Sequence, residues 1–152
     1  MFTVQKGDIF LAIEDTITDP VNCVGVCGKG LAKQFAERYP DEVYQYRRMC
    51  AQGSIALGKP MFLPALNNTK YPSRNILFFP TKNHWRAKSR LTDIVDGISY
   101  VKTYANYWGI KSLAVPLLGA GLGGLPAEDV MDVMHFEFSD FPLEVVLYTK
   151  GH

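Results

Sequence analysis

The 152-residue chain carries almost no surplus charge: 16 Lys and Arg stand against 15 Asp and Glu, a formal net charge of +1. So close a balance excludes a bulk field that would draw the chain onto DNA or an anionic membrane, and any nucleic-acid contact has to be local. Cysteine is scarce. Cys23, Cys27 and Cys50 are odd in number and lack CxxC spacing, which argues against a disulfide framework or a thiol-rich zinc site. Cys23 and Cys27 are expected to pack, and no metal or cofactor is expected. No run approaches the roughly 20 apolar residues that a membrane-spanning helix needs. The opening MFTVQKGDIF is not a secretory leader, so a cytoplasmic protein without membrane contact is expected. Internal repeats, low-complexity tracts and linkers are also missing.

What is present suits one core. Hydrophobic residues make up 47% of the chain and charged ones 20%, well away from disordered compositions. A chain of this length buries roughly two-thirds of its unfolded surface. One domain over 1–152, monomeric, is expected.

Apolar periodicity sets the order of elements. Phe2 to Gln5 and Val21 to Val26, the latter entered through Asp19-Pro20, read as strands. Leu31, Phe35 and Tyr39 share a helical face that Pro40 ends, and Val43, Tyr46 and Cys50 mark a second helix. A strand at Met61 to Pro64 and a polar turn from Asn67 to Arg74 follow. Asn75 to Pro80 is a nearly continuous apolar run, which suits a strand buried on both faces. Leu91 to Trp108 repeats at helical spacing, with Ser89 as expected N-cap and Gly109 as C-cap. Ser112 to Pro116, a helix opened by Pro126 and running to Phe138, and a strand from Glu144 to Tyr148 complete the chain. This alternation predicts an α/β fold with a mixed, largely parallel sheet covered on both faces, and ligands beyond the carboxyl ends of its strands.

Two glycine-rich loops lie where that rule puts ligands. Gly25-Val26-Cys27-Gly28-Lys29-Gly30 joins a strand to a helix, where backbone N–H groups and the helix terminus can hold a phosphate. It is not a Walker A loop, since Cys23 replaces the first glycine and Gly30 the magnesium-binding Ser or Thr. Gly119-Ala120-Gly121-Leu122-Gly123-Gly124 has the spacing of a dinucleotide fingerprint, but only one strand follows, too little for a Rossmann half. A plain strand-to-helix turn is the alternative reading of the first loop.

Over nearly its whole length the chain resembles the macrodomain family, which binds ADP-ribose; a three-layer α/β/α sandwich is implied. By that resemblance Asp8, followed by Ile9, matches the adenine-reading acid, and Asn22 the asparagine facing the distal ribose. Val24, Cys27, Gly28, Lys29, Gly30 and Leu31 fall on one clamp loop, with Pro116 and Gly119 to Gly124 on the other. Tyr148 falls beside the adenine, and Thr81 precedes a lysine at the distal ribose. VNCVGVCGKGLAKQFAERYP, FPTKNHWRAKSRL and PLLGAGLGGL are most similar to the DarG antitoxin branch, which removes ADP-ribose from thymine in DNA. The resemblance makes Lys82 the catalytic lysine and Asn22 its partner. A related lysine-using branch carries an aspartate in the second loop, where this chain has Leu122-Gly123-Gly124.

Cleaving a glycosidic bond usually takes a carboxylate pair, and none is evident near the loops. A lysine serves if its pKa falls, and Lys29, Arg86 and Lys88 are cations that the fold can bring near. His84 and Trp85 suit contact with a displaced base, and Arg86, Lys88 and Arg90 suit the phosphates of a single strand; a plain solvated loop is the alternative. The expected function is removal of ADP-ribose from bases of single-stranded DNA, with a cognate DNA ADP-ribosyltransferase toxin as an implied partner. A non-catalytic ADP-ribose reader and a hydrolase of ADP-ribose 1''-phosphate or O-acetyl-ADP-ribose are the other readings. DarG antitoxins carry a further domain, so the chain reads as an excised domain or a stand-alone protein.

Overall fold

The longest apolar run of the sequence becomes a central strand in the computed structural model, which describes residues 1–66 and 71–150. This strand, β4 (Asn75–Lys82), buries every residue from Ile76 to Thr81. The other strands are β1 (Phe2–Lys6), β2 (Thr16–Asn22), β3 (Met61–Leu63), β5 (Ser112–Val115) and β6 (Glu144–Thr149). They form one sheet in the order β1-β6-β5-β2-β4-β3, parallel throughout except for the antiparallel edge strand β3. The polar turn expected at 67–74 falls partly outside the described residues.

Side chains alternate across a strand, so one sheet feeds two cores. Ile76 and Phe78 pack with Phe35, Tyr39, Val43 and Tyr46 of helices α1 (Gly30–Arg38) and α2 (Pro40–Ala51). Leu77 and Phe79 pack with Ile94, Ile98, Val130 and Met134 of α3 (Leu91–Trp108) and α4 (Ala127–Phe138). Each of these buried side chains contributes on the order of 1.5–3 kcal/mol. The expected three-layer sandwich results. Gly97 lets α3 lie close on β4, since a Cβ there would collide with the Phe79 ring.

Two local expectations are corrected. The strand expected at Val21 to Val26 lies at Thr16–Asn22 instead. An acid and a proline read as a break, yet Asp19 and Pro20 sit inside β2. Pairing between β2 and β5 stops at Ile17, so the N–H that Pro20 lacks interrupts no bond on that side. Asp19 is fully buried, and burial raises its pKa well above the carboxylate range. The second correction concerns Ser89: Arg90 is the N-cap of α3, without a side-chain bond. The Ser89 N–H instead donates to the Gly123 carbonyl at 2.9 Å, drawing Ser89 under the second glycine loop.

Candidate active site

The sheet opens between β2 and β5, whose pairing ends at Ile17 and Ala114. Past Ile17 the β2 and β5 ladders part, and Pro20 and Pro116 line the gap. The result is a cleft of about 710 Å³ at the carboxyl ends of the strands, walled by both glycine loops.

Asn22 builds the first loop. Its Oδ1 accepts from the backbone N–H groups of Val24 (3.1 Å), Gly25 (2.9 Å) and Val26 (3.3 Å), and its Nδ2 donates to the Val26 carbonyl (2.8 Å). Tyr46 Oη of α2 donates to the Asn22 carbonyl, and Arg47 Nε donates to Gly25 O at 3.3 Å. The carboxamide therefore holds the loop as well as lining the cleft. Next to it, Lys29 begins α1 without a capping side chain, and Gly28, Gly30 and Leu31 form the wall. Uncapped N–H groups at a helix N-terminus suit a phosphate.

The second loop needs glycine for its backbone. Gly119 and Gly124 have φ of 81° and 80°, the left-handed region closed to most side chains. Gly123 lies against the Ser89 side chain. Leu122, 63% exposed, reaches across the cleft: its Cδ1 would be 3.1 Å from a Cβ at Gly30. The two loops meet there.

Lys82 ends β4 opposite Asn22. The register runs Val21↔Pro80 and then Asn22↔Lys82, with a bulge between. Lys82 Nζ donates to the Trp85 carbonyl at 3.0 Å and the Leu122 carbonyl at 3.2 Å. Its pKa is lowered, and burial is the cause; neighbouring cations, expected from the sequence, are not. Lys29 and Arg86 do line the same cleft.

The segment after Lys82 forms the cleft's outer lip. Trp85 is 43% exposed and borders the cleft with Arg86, whose guanidinium lies 4.4 Å from the indole centre. His84 packs on Trp85, ring centres 5.2 Å apart, and its Nδ1 accepts the Arg86 N–H. Arg90 is engaged by Asp93 at 2.9 Å, and Lys88 runs beside Gly124; neither borders the cleft.

A smaller hollow of about 100 Å³ adjoins the cleft through Leu31 and Pro116 and is bordered by Asp8, Ile9 and Tyr148. Asp8 Oδ1 accepts the Phe10 N–H at 2.9 Å, and Arg38 stands 3.9 Å from Oδ2. Tyr148 Oη donates to buried Glu14 at 2.6 Å, and burial, then that carboxylate, pushes its pKa up to about 12.

The structure thus gathers Asn22, Gly28, Lys29, Gly30, Leu31, Thr81, Lys82, Pro116 and Gly119 to Gly123 around one cleft, and Asp8, Ile9 and Tyr148 around its extension. Val24 points to solvent, Cys27 is buried in the α1–α2 core, and Gly124 does not border the cleft. Sequence reasoning missed Pro20, Val21, Val26, Ala32 and Leu117, which also border the cleft. Only the proline in a strand hinted at this. Burial raises the thiol pKa values, that of Cys23 to about 11.

A sequence model of the Macro domain matches residues 18–134. The DNA ADP-ribosyl glycohydrolase of Mycobacterium tuberculosis is 40% identical over 97% of this chain, and that of Thermus aquaticus 35% over 86%. The chain spans only 42% and 36% of these two proteins. Among solved structures, the macrodomain of Mycobacterium tuberculosis DarG superposes with a TM-score of 0.90 at 37% identity, covering 99% of both chains. Thermosipho africanus DarTG, solved with ADP-ribose, gives 0.90 at 33% identity, over 97% of this chain and 41% of that one. With its family model matched over residues 18–134, most of its length, the chain belongs to the macro domain family.

Proposed function

We propose that the cleft binds ADP-ribose and that the protein is a hydrolase releasing it from bases in DNA, with thymine in single-stranded DNA as substrate. The carrying observation is Lys82, a partly buried amine with a lowered pKa at the point where both clamp loops meet. Asp8 and Tyr148 suit the adenine, the α1 terminus and second glycine loop the diphosphate, and Asn22 and Lys82 the distal ribose. The names of the curated relatives support this reading. The Thermosipho africanus relative is a fusion of DNA ADP-ribosyl transferase and glycohydrolase, which supports a DNA-modifying transferase as the source of the substrate.

Neutral Lys82 carries a lone pair that can attack once Nζ is turned toward the anomeric carbon. Its nitrogen bonds to the anomeric carbon as the bond to the base breaks. The base nitrogen keeps the electron pair and takes a proton from solvent. Water then displaces the lysine, leaving hydroxyl on the anomeric carbon and restoring the amine. Arg86 and the exposed lip suit a neighbouring DNA phosphate.

The test is release of ADP-ribose from a modified single-stranded oligonucleotide by wild type and Lys82→Ala. Full activity in Lys82→Ala would remove the lysine mechanism. The tie between Lys82 and two loops also favours a second reading, a reader in which the lysine only shapes the cleft. ADP-ribose binding without turnover of any conjugate would establish that one.

A further inference from the structure

Lys82 is tied at both acceptors to backbone that borders the cleft. One acceptor is the carbonyl of Trp85, three residues on, and the other is the carbonyl of Leu122 in the second glycine loop. The residues from His84 to Ala87 form a closed turn, with Ala87 N–H donating to His84 O at 2.9 Å and Arg86 N–H to the His84 ring. Ser89 N–H carries the same segment onto Gly123 O. The turn, the glycine loop and the lysine are therefore one mechanical unit. The only large aromatic face that this unit offers to the cleft is the Trp85 indole, backed by the Arg86 guanidinium. A base–aromatic stack is comparable in strength with one hydrogen bond from a charged or desolvated amine.

We propose that Trp85 is the specificity-determining residue of this site: the departing base stacks on its indole, shifts the His84–Ala87 turn, and frees Lys82 Nζ from the Trp85 carbonyl for the anomeric carbon. Free ADP-ribose has no base to stack there, so it fills the cleft and leaves the lysine tied. The inference rests on the ADP-ribose-removing function proposed above and adds the coupling between base and amine. It accounts for how a protein with an open diphosphate clamp would turn over a DNA conjugate in preference to small ADP-ribose esters.

The experiment compares wild type, Trp85→Ala and Trp85→Phe on an ADP-ribosylated single-stranded oligonucleotide and on ADP-ribose 1''-phosphate. Trp85→Ala should lower kcat on the oligonucleotide by about tenfold or more while the Kd for ADP-ribose stays within about twofold. Trp85→Phe, which keeps an aromatic face, should recover most of the rate, and the ratio of kcat on the oligonucleotide to kcat on the phosphate should fall in Trp85→Ala and stay near that of wild type in Trp85→Phe. Unchanged kcat in Trp85→Ala, or an equal loss on both substrates, overturns the coupling. A second readout does not need turnover. The chain has two tryptophans, so in Lys82→Ala with Trp108→Phe the tryptophan fluorescence, excited selectively over tyrosine, is that of Trp85. The oligonucleotide should quench it and ADP-ribose should not; no quenching by the oligonucleotide overturns the stack. Wild type that releases nothing from the oligonucleotide sinks the function and the coupling together, whereas active wild type with equally active Trp85→Ala sinks the coupling alone.

Discussion

Lys82 faces Asn22 across the β2–β4 ladder because Thr81 is passed over: Val21 pairs with Pro80, and Asn22 with Lys82. An unbroken register would set Thr81 opposite Asn22. The bulge therefore decides which side chains share the floor of the cleft. Cys23 N–H then donates to Asn83 O at 3.0 Å, so the shift is locked one residue further on.

Asn22→Ala should damage binding through the loop. It removes the acceptor of three backbone N–H groups and the donor to Val26 O, so stability should fall by about 1–3 kcal/mol. ADP-ribose affinity should weaken by about tenfold. Asn22→Asp keeps the acceptor and should cost less stability. Urea unfolding and calorimetry on both variants check this, and wild-type stability in Asn22→Ala would contradict it.

The second glycine loop is held by contact with Ser89. A Cβ at Gly123 would collide with the Ser89 hydroxyl, and Gly123→Ala should destabilise by about 1–3 kcal/mol. Ser89→Gly removes the obstructing side chain. In the double variant the penalty should therefore be smaller than the sum of the single effects, a coupling that a double-mutant cycle reads directly.

Asp19 sets a pH dependence. Both its carboxyl oxygens are buried with no hydrogen-bond partner among the described residues, and burial raises its pKa well above 3.8. Below that value both folded and unfolded chains hold the proton and stability is complete. As pH rises from there toward the folded-state pKa, the unfolded chain ionises first and stability is lost, at about 1.4 kcal/mol per pH unit. Asp19→Asn cannot ionise. Its melting temperature relative to wild type should climb between pH 4 and pH 7, and a constant difference would refute the assignment.

The Lys82 mechanism has its own pH signature. With the neutral amine as nucleophile and its pKa lowered by burial, kcat should rise with pH and level off below 10.5, the ordinary lysine value. Lys82→Arg, which keeps the charge and has no neutral form, should lose about 100-fold or more. A rate that falls as pH rises would instead assign Lys82 the role of a cation stabilising the leaving group.

The elements that the sequence announced were those whose signal is local. Leu91 to Trp108 repeats at helical period and ends in Gly109, and the helix has those bounds. Asn75 to Pro80 reads as a doubly buried strand and is one, extended by two residues to Lys82. β2 was misplaced because Asp19 and Pro20 break the local rules for a central strand. Pro20 is tolerated because β5 turns away from β2 beyond Ile17, a fact of the sheet and not of the strand.

The two glycine loops, the alternation of strands and helices, and Lys82 at a strand end were determined by the sequence alone, because backbone freedom and apolar period are properties of neighbouring residues. The tertiary structure decided the rest: that Asn22 holds its own loop, that Arg90 is taken by Asp93 while Trp85 and Arg86 reach the cleft, and that Lys82 is bound to Trp85 and Leu122. Those are choices among partners. A side chain's partner depends on which distant backbone the sheet register brings within hydrogen-bond reach, and one bulged residue, Thr81, opposite the Val21–Asn22 step changes that register.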